Sequence, residues 1–474
     1  MIFCWLKLQG YSYFQEKACK MIGKRDKSPQ LNIFQVPLVQ FIDKEHELSR
    51  LADQIDWELV EDEFSSYYCP DNGRPSIPIR KIVGVLLLKT MFSHSDESVV
   101  DRWQENPYWQ YFCGETFFQH EKPFDPTELI KFRKRIGEEG AEKLLKLSIN
   151  LFSRKEVEEK EVCIDTTVQE KNITYPTDAK LRKKIIEKCW NIAEKEGIKL
   201  RQSYRRTLKQ LMIDQRFREH PKRRKKANAA ARKIDTIAGR IVRDIERKLS
   251  SQQKQAYERD LIIFNLVLQQ KRSDKNKIYS LHEPSVSCIA KGKEAKKYEF
   301  GNKSSLVVTK HSRIIVGAMA FEGNPYDGHT LDAQLNQIER LTGKLPRVAI
   351  VDRGYRGRKV IDDTQICTPG KLKASSTPYQ KQQVRKRFRA RAGIEPIIGH
   401  AKHDHRMERN FLAGVVGDQI NTILAATGFN LMKKLRKIKA QIFVFIFKLN
   451  IWIENQIRFK RKILLIQKLA VFQA

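Results

Sequence analysis

Five short runs of β-type residues lie between residues 162 and 351, and a charged block with a helical pattern separates the first run from the other four. β-Branched and apolar side chains grouped between polar turns are typical of strands. The runs cover 162–168, 286–289, 305–309, 313–321 and 347–351. A helical pattern at 330–341 lies between the last two runs. Strands on both sides of a helical block predict one mixed α/β domain that carries an insertion.

Changes in residue pattern divide the rest of the chain. We expect an extension over 1–30, an N-terminal helical domain over 31–155, an α/β domain over 156–437 with a basic helical insertion at 178–275, and an apolar and basic tail over 438–474. Domains usually span about 100–200 residues, so a chain of 474 residues has room for this arrangement.

Two short helices in the N-terminal part suggest a way to contact DNA. Pro78 opens an apolar helical stretch over 79–91, and Ser95 is expected to cap a second helix that begins at Asp96. Two helices around a tight turn can enter a DNA groove, but they can equally be part of a packed bundle. A later helical run, 126–152, carries basic residues that form either a solvated face or a phosphate track. These are Lys131, Arg133, Lys134 and Arg135.

The charge of the chain requires a polyanionic partner. Lys and Arg number 90 against 56 Asp and Glu, which gives a formal charge of +34. A surface this basic gains affinity for nucleic acid by releasing counterions from phosphates. A membrane is the rival partner, but the apolar run at 442–453 is shorter than the roughly 20 residues that a membrane span needs. We therefore expect double-stranded DNA and no membrane, with Lys222, Arg223 and Arg224 as phosphate contacts.

The eight cysteines are scattered and include no Cys-x2-Cys pair. This pattern indicates neither a zinc ribbon nor a disulfide framework. The apolar N-terminal segment has no charged leader and no small-residue cleavage site, so no export signal is expected. We expect a reducing cytoplasm.

Two aspartates follow apolar strand residues. Asp165 comes after Val162-Cys163-Ile164, and Asp352 comes after Val348-Ala349-Ile350-Val351. An acid at or near the end of a buried strand is costly to desolvate unless a cation accompanies it. Either acid alone could instead cap the turn that follows. Together they suggest carboxylates that converge on hard divalent cations for phosphodiester chemistry.

A third acid lies between two cations. Phe388, Arg391, Glu395 and Lys402 are separated by offsets of 3, 7 and 14 residues from the first, which on one helix places them within about 60° of a single face. Glu395 could hold a metal ion while Arg391 and Lys402 fix phosphates. The alternative is an ordinary ion pair on a solvated helix. Pro396 is expected to kink the helix or to start a new one at Glu395.

The spacing of these four residues closely resembles the Tyr-x2-Arg-x3-Glu-x6-Lys signature of DDE transposases in the insertion-sequence-five family. Phe388 stands where that signature usually has Tyr, so a tyrosine hydroxyl is absent at this position. Further segments resemble the family in the family's own order, across roughly residues 30–437. They are 163–167, 173–178, 298–303, 323–329 and 351–355.

The resemblance implies a ribonuclease H-like mixed sheet core, with the first Asp on the first strand, the second Asp after the fourth strand and the Glu on a later helix. It implies that Asp165, Asp352 and Glu395 are catalytic and hold two Mg²⁺ ions, for which Mn²⁺ substitutes. Arg391 and Lys402 are then expected to position phosphates, and we add Arg406 to this DNA-binding set.

The function implied is transposition, by an enzyme of the bacterial cytoplasm that is associated with the nucleoid and acts on double-stranded DNA. The enzyme would bind the terminal inverted repeats of its own element, hydrolyse a phosphodiester bond and join the freed 3′-hydroxyl to target DNA, as a homodimer on DNA. Two alternatives stay open at this point: a catalytically inactive DNA-binding protein derived from a transposase, and a ribonuclease H-type nuclease that does not transfer strands.

Overall fold

The computed structural model describes residues 36–69, 75–216, 218–271, 273–290, 297–370 and 377–472. The extension expected over residues 1–30 lies outside this part of the chain.

Helices precede the first strand. Within the described residues they are α1 (Leu38–Phe41), α2 (Glu47–Gln54), α3 (Trp57–Ser65), α4 (Ile79–Met91), α5 (Asp96–Glu105), α6 (Pro107–Phe112), α7 (Thr127–Asn150) and α8 (Arg154–Val157). The predicted helices α4 and α5 are confirmed, and Ser95 caps α5 in a reciprocal pair of hydrogen bonds with Ser98. Most of α4 is buried, and Val83, Leu86 and Leu87 are fully buried.

One buried ion-pair network joins three of these helices. Arg133 of α7 donates two hydrogen bonds to the Asp96 carboxylate, at 2.8 and 2.7 Å. Lys89 of α4 contacts the same carboxylate at 2.8 Å. The Arg133 side chain is only 4% exposed. The expectation that Arg133 lies on a solvated face or a phosphate track is therefore wrong, because its charge is used to hold α4, α5 and α7 together.

A mixed sheet forms the centre of the α/β part. Its eight strands in the described residues are β1 (Glu161–Lys171), β2 (Ser287–Ala290), β3 (Tyr298–Thr309), β4 (Ile315–Phe321), β5 (Val348–Ile350), β6 (Val360–Ile361), β7 (Thr364–Cys367) and β8 (Arg409–Asn410). The strand order is β2-β3-β1-β5-β7-β6, with β4 beside β3 and β8 beside β1. β3 is antiparallel to β1, whereas β5 is parallel to β1 and to β7. The α/β class with a mixed sheet is thereby confirmed.

The pairing of β1 with β5 sets the positions of the two aspartates. Cys163 pairs with Ile350 in parallel register, so Asp165 and Asp352 both lie two residues beyond that pair. Parallel strands whose registers match bring equivalent positions to the same level of the sheet. The pairing of β1 with β5 therefore brings the two acids close together although they are far apart in the sequence.

The charged block between β1 and β2 is helical, as its pattern predicted. Its helices are α9 (Asp178–Lys195), α10 (Arg205–Asp214), α11 (Pro221–Lys248) and α12 (Ser251–Gln269). Their apolar faces form a hydrophobic cluster of their own, in which Ile185, Ile234 and Phe264 are fully buried. This cluster lets the block fold as a helical unit beside the sheet.

The remaining helices support the sheet and carry the third acid. They are α13 (Leu331–Thr342), α14 (Pro378–Ala392), α15 (Ile394–His403) and α16 (Gly414–Phe472). α16 packs against α7, α4 and β4. In the part of the chain described here, no helix has both the length and the apolar character that crossing a membrane requires.

One expectation needs correction. Asp352 follows the fifth strand of the chain, because the short edge strand β2 is added before β3. Cys69 is disulfide-bonded. Cys113, Cys163, Cys189, Cys288 and Cys367 are free thiols.

Candidate active site

Asp165 and Asp352 lie on neighbouring segments of the sheet, but their local backbone structures differ. Asp352 follows β5 and accepts a hydrogen bond from the Gly354 backbone N–H at 2.7 Å, so it also caps the turn, as the alternative interpretation expected. Asp165 is not at the end of its strand, because β1 continues to Lys171. The neighbouring strand β5 is shorter and ends at Ile350. Asp165 therefore lies on a part of β1 that β5 no longer pairs with.

Arg391 is the residue on which the acids converge. Its Nη2 atom lies 2.9 Å from an Asp165 carboxylate oxygen and 3.8 Å from one of Asp352. Its Nη1 atom lies 3.8 Å from a Glu395 carboxylate oxygen. One guanidinium therefore lies within 4 Å of carboxylates that come from β1, from the turn after β5 and from α15.

A break between two helices determines where Glu395 lies. α14 ends at Ala392 and α15 begins at Ile394, with Gly393 at the junction. Arg313 donates to the Ala390 carbonyl oxygen at 2.8 Å, and a Cβ at Gly393 would collide with that guanidinium. The expectation of one continuous helix face is thus wrong, whereas the expected break near Pro396 is confirmed. Glu395 lies in the first turn of α15, and its side chain is 66% exposed.

Phe388 has a structural role in this arrangement. Its ring is half-buried and packs against the main hydrophobic core. That packing explains how a residue without a hydroxyl is accommodated where the transposase signature usually has Tyr.

Burial gives the three acids different electrostatic environments. Side-chain exposure is 14% for Asp165 and 40% for Asp352. Burial raises the pKa of Asp165 to about 6; the Arg391 charge opposes this shift and the nearby Asp352 adds to it. Asp165 is therefore a carboxylate that gains from any cation placed beside it.

Asp327 is a fourth acid beside the site, and it was left out of the catalytic set predicted from the sequence. It accepts hydrogen bonds from Thr166 Oγ1 and from Lys303 Nζ, both at 2.8 Å. A Cβ placed on Gly354 would lie 2.8 Å from the Asp327 carboxylate and 2.9 Å from that of Asp352. Asp327 thus connects the neighbour of Asp165 to the turn that holds Asp352. Its place in the family-like segment 323–329 was the signal that could have identified it.

Tyr355 lies beneath the acids. Its side chain is 1% exposed, and its hydroxyl has no hydrogen-bond partner among the described residues. Burial raises its pKa well above the ordinary value, and the charges of Asp165 and Asp327 add to the shift. This phenol therefore stays protonated beside the acids.

The other residues predicted to contact phosphates lie apart from the convergence point. Lys402 is half-buried on α15, seven residues and about 10 Å along the helix from Glu395. Arg406 donates to the Ser93 carbonyl oxygen at 3.3 Å and stacks on Phe411. The run Lys222, Arg223 and Arg224 is exposed in the first turn of α11, in the helical insertion.

The donor set is suited to a hard divalent cation. All the converging acids offer carboxylate oxygens, which Mg²⁺ prefers, and the Arg391 guanidinium already stands among them as a cation. In the described residues no three His, Cys, Asp or Glu side chains lie close enough to hold a metal ion directly. The Arg391 guanidinium lies between the acids, where it is within 4 Å of a carboxylate oxygen of each.

Two family models match the chain. The model described as Transposase domain (DUF772) matches residues 36–135, and the model described as Transposase DDE domain matches residues 280–431. The second match includes Asp352, Arg391 and Glu395, whereas Asp165 lies outside both matched ranges.

A curated relative and the solved structures were also compared. An uncharacterized protein, ORF8 in the nfe locus of Rhizobium meliloti, is 42% identical over 205 residues, which are 42% of this chain and 98% of the relative. No solved structure matches the chain.

Proposed function

Since the chain belongs to the family of DDE transposases, we propose that it binds the terminal inverted repeats of its own mobile element and catalyses metal-dependent strand cleavage and strand transfer. The observation that carries this proposal is the convergence of Asp165, Asp352 and Glu395 on one guanidinium. Carboxylates from three separate segments are costly to bring together unless they serve cations.

We also propose a ribonuclease H-like core for the α/β part, 156–437. The support is the series β4-β3-β1-β5-β7, in which three antiparallel strands are continued by two parallel ones. The first acid lies on the central strand β1, and the second follows its parallel neighbour β5. The helical block at 178–275 would be an insertion into this core.

In this mechanism Asp165, Asp352 and Glu395 would hold two Mg²⁺ ions, or Mn²⁺ in their place. Bound there, the ions would activate the attacking oxygen and neutralise charge on the leaving oxygen. The chain's own cations orient the DNA. Arg391 turns from the acids to a phosphate, which its planar guanidinium can bind through two hydrogen bonds. Lys402, about 10 Å further along α15, contacts a different phosphate.

The N-terminal helices 31–155 contribute less to DNA recognition than a helix-turn-helix would. α4 is almost entirely buried. The exposed positions of α5 are Glu97, Asp101 and Glu105 with a single cation, Arg102, so this face has no excess positive charge to attract phosphates. These observations favour the packed-bundle alternative for α4 and α5, so we propose that most DNA contacts come from the α/β part and its insertion.

A plasmid assay tests the catalytic proposal. Supercoiled plasmid that carries the element's ends is incubated with the protein and Mg²⁺, and nicked and joined products are quantified. We expect Asp352→Ala to lose at least about 100-fold in nicking and to keep its affinity for the ends. The control is Asp363→Ala, which removes an exposed acid from the turn between β6 and β7, at the opposite end of β5 from Asp352, and should cut like the parent.

The results separate the alternatives. If Asp352→Ala cuts like the parent, the assignment of the acids is wrong. A parent protein that binds the ends and never nicks them would be the inactive DNA-binding protein. A parent that nicks the ends and never joins them to target DNA would be a nuclease without strand transfer.

A further inference from the structure

The helical insertion contains a wide groove between α9, α10 and α11, which we name the basic groove. It has a volume of about 1280 Å³ and opens at Tyr175, Pro176 and Thr177, the segment that joins β1 to α9. Among the described residues that line it, seven are Lys or Arg and three are Asp or Glu. The groove is therefore a concentration of positive charge built by three helices.

Much of this charge is not neutralised within the protein. In the described residues, Lys183 pairs with Glu187 at 3.3 Å across the surface of α9. Lys209, Arg216 and Arg224 form no salt bridge in that part of the chain. Like charges held in one groove repel each other unless an anion compensates them. Stability of the fold does not explain this clustering, and an anionic ligand does.

The helix direction strengthens this reasoning. α11 begins at Pro221 and has no acid in its first turn, although Lys222, Arg223 and Arg224 lie there. Cations at a helix N-terminus oppose the helix dipole and are unfavourable there. A phosphate bound nearby would reverse the sign of that contribution.

The shape of the basic groove favours a nucleic-acid backbone over a small anion. Small-molecule sites usually enclose about 300–1000 Å³ and converge on a few buried donors. Here the cations are spread along three helices and most are exposed, as in Lys180, Lys209 and Arg224. Spread charges suit a row of phosphates, each of which is contacted separately.

The aromatic residues of the groove favour duplex over single-stranded DNA. Trp190 donates through its indole N–H to the Ser203 carbonyl oxygen at 2.9 Å, and the Arg205 guanidinium covers its ring at 5.1 Å. Tyr175 is exposed but packs edge-on against Phe300. Binding of single strands relies on rings that are free to stack on bases, and the Trp190 ring is already covered.

The sheet connects the basic groove to the acids. Tyr175, which lines the groove, touches Phe300, the neighbour of Gly301, which pairs with Glu170 near the end of β1. From Asp165 to that end is six residues, or about 20 Å of strand. Duplex DNA rises about 3.4 Å per base pair, so a duplex that ran along β1 from the acids to the groove would cover this length in roughly six base pairs.

We propose that the basic groove binds the sugar–phosphate backbone of the duplex that is cut at Asp165, roughly six base pairs from the cleaved bond. This inference rests on the proposed function, because it takes the acids as the point of cleavage. It adds a second DNA contact, which holds the duplex in register with the acids without reading its sequence.

The test compares two triple variants that remove equal charge. The groove variant is Lys209→Ala, Arg216→Ala and Arg224→Ala. The control variant is Lys254→Ala, Arg259→Ala and Lys275→Ala, three exposed cations of the same insertion that do not line the groove. Circular dichroism and thermal melting establish that both variants are folded.

Binding of a labelled duplex that carries the element's end is measured by fluorescence anisotropy at several salt concentrations. We expect the groove variant to bind about 10- to 100-fold more weakly, and the slope of log K against log salt to fall by about 2–3 relative to the parent. Hydroxyl-radical footprinting should lose protection roughly six base pairs from the cleavage site. The control variant should change much less in all three measurements.

A gain-of-binding variant provides a second test that does not depend on loss of function. Glu219→Lys reverses an acid that lines the groove, and we expect tighter duplex binding with a slope steeper by about 1. Equal affinities and equal slopes for the groove and control variants would overturn the proposal, as would a larger loss for single-stranded DNA than for duplex. A parent protein that binds no duplex would overturn it too. Failure of the parent to nick would count against the proposed activity alone.

Discussion

Replacing Arg391 by Ala is expected to tighten the binding of divalent cations to the DNA-free protein. The guanidinium lies 2.9 Å from Asp165 and 3.8 Å from both Asp352 and Glu395, so a metal ion must compete with it for all three acids. The pairs with Asp352 and Glu395 are partly exposed and are worth about 0.5 kcal/mol each. The more buried Asp165 pair adds about 1 kcal/mol. Removing about 2 kcal/mol of competition corresponds to roughly 30-fold tighter binding.

The measurement is a Mn²⁺ titration followed by electron paramagnetic resonance or calorimetry at pH 8. This pH lies above the pKa of Asp165, which burial raises to about 6, so the carboxylate is ionised in the parent. Arg391→Lys should fall between the parent and Arg391→Ala, because an ammonium pairs with fewer acids at once. Arg387→Ala is the matched control, since Arg387 pairs with Glu161 one turn earlier on α14 and does not touch the site acids.

Arg391 could compete with metal ions for the acids or act only on DNA phosphates, and this experiment distinguishes the two roles. A residue that acts only on phosphates would leave Mn²⁺ affinity unchanged when DNA is absent. Equal or weaker Mn²⁺ binding by Arg391→Ala would therefore refute the idea that the guanidinium substitutes for the metal ions. In the nicking assay, Arg391→Ala should still be slow, because the phosphate loses its partner even where the metal binds well.

Two further predictions concern stability. Burial alone would raise the pKa of Asp96, but the hydrogen bonds and charges of Arg133 and Lys89 outweigh it and lower the pKa from 3.8 to about 2. Asp96→Asn should therefore cost about 2 kcal/mol or more in urea unfolding at pH 7, and the difference should disappear as the pH falls through 2. A small cost that does not depend on pH would contradict this prediction. Gly301→Ala should cost about 3 kcal/mol or prevent folding, because a Cβ there runs into the backbone of β1. The control is Gly399→Ala, where a Cβ meets nothing. This variant should be neutral or slightly stabilising in the same urea unfolding measurement.

The local structure of this chain could be predicted well from its sequence. The bounds of α4 and the Ser95 cap of α5 depend on neighbouring residues, as do the apolar runs that became β1, β4 and β5. Helix caps and the alternation of side chains are properties of short segments, and no distant contact is needed to read them. The break before Glu395 was also foreseeable, because Pro396 is a local signal.

The use of individual charges could not be predicted in the same way. Arg133 looked like a surface cation, but a partner 37 positions away holds it in the core. Asp327 was not among the acids predicted for the site, but Thr166, 161 positions away, donates to it beside Asp165. Pattern within a segment does not reveal which distant side chain a charge will meet, since that depends on how the segments pack.

The sequence by itself determined which residues could form the candidate site. It contains acids after apolar runs, a basic segment around Glu395 and a net charge of +34. Only the tertiary structure decided that Asp165 and Asp352 share one level of the sheet and that a single guanidinium stands among the acids. The physical reason is that a carboxylate's environment is set by burial and by charges within a few ångströms. Those distances exist only once β1, β5 and α14 have packed together.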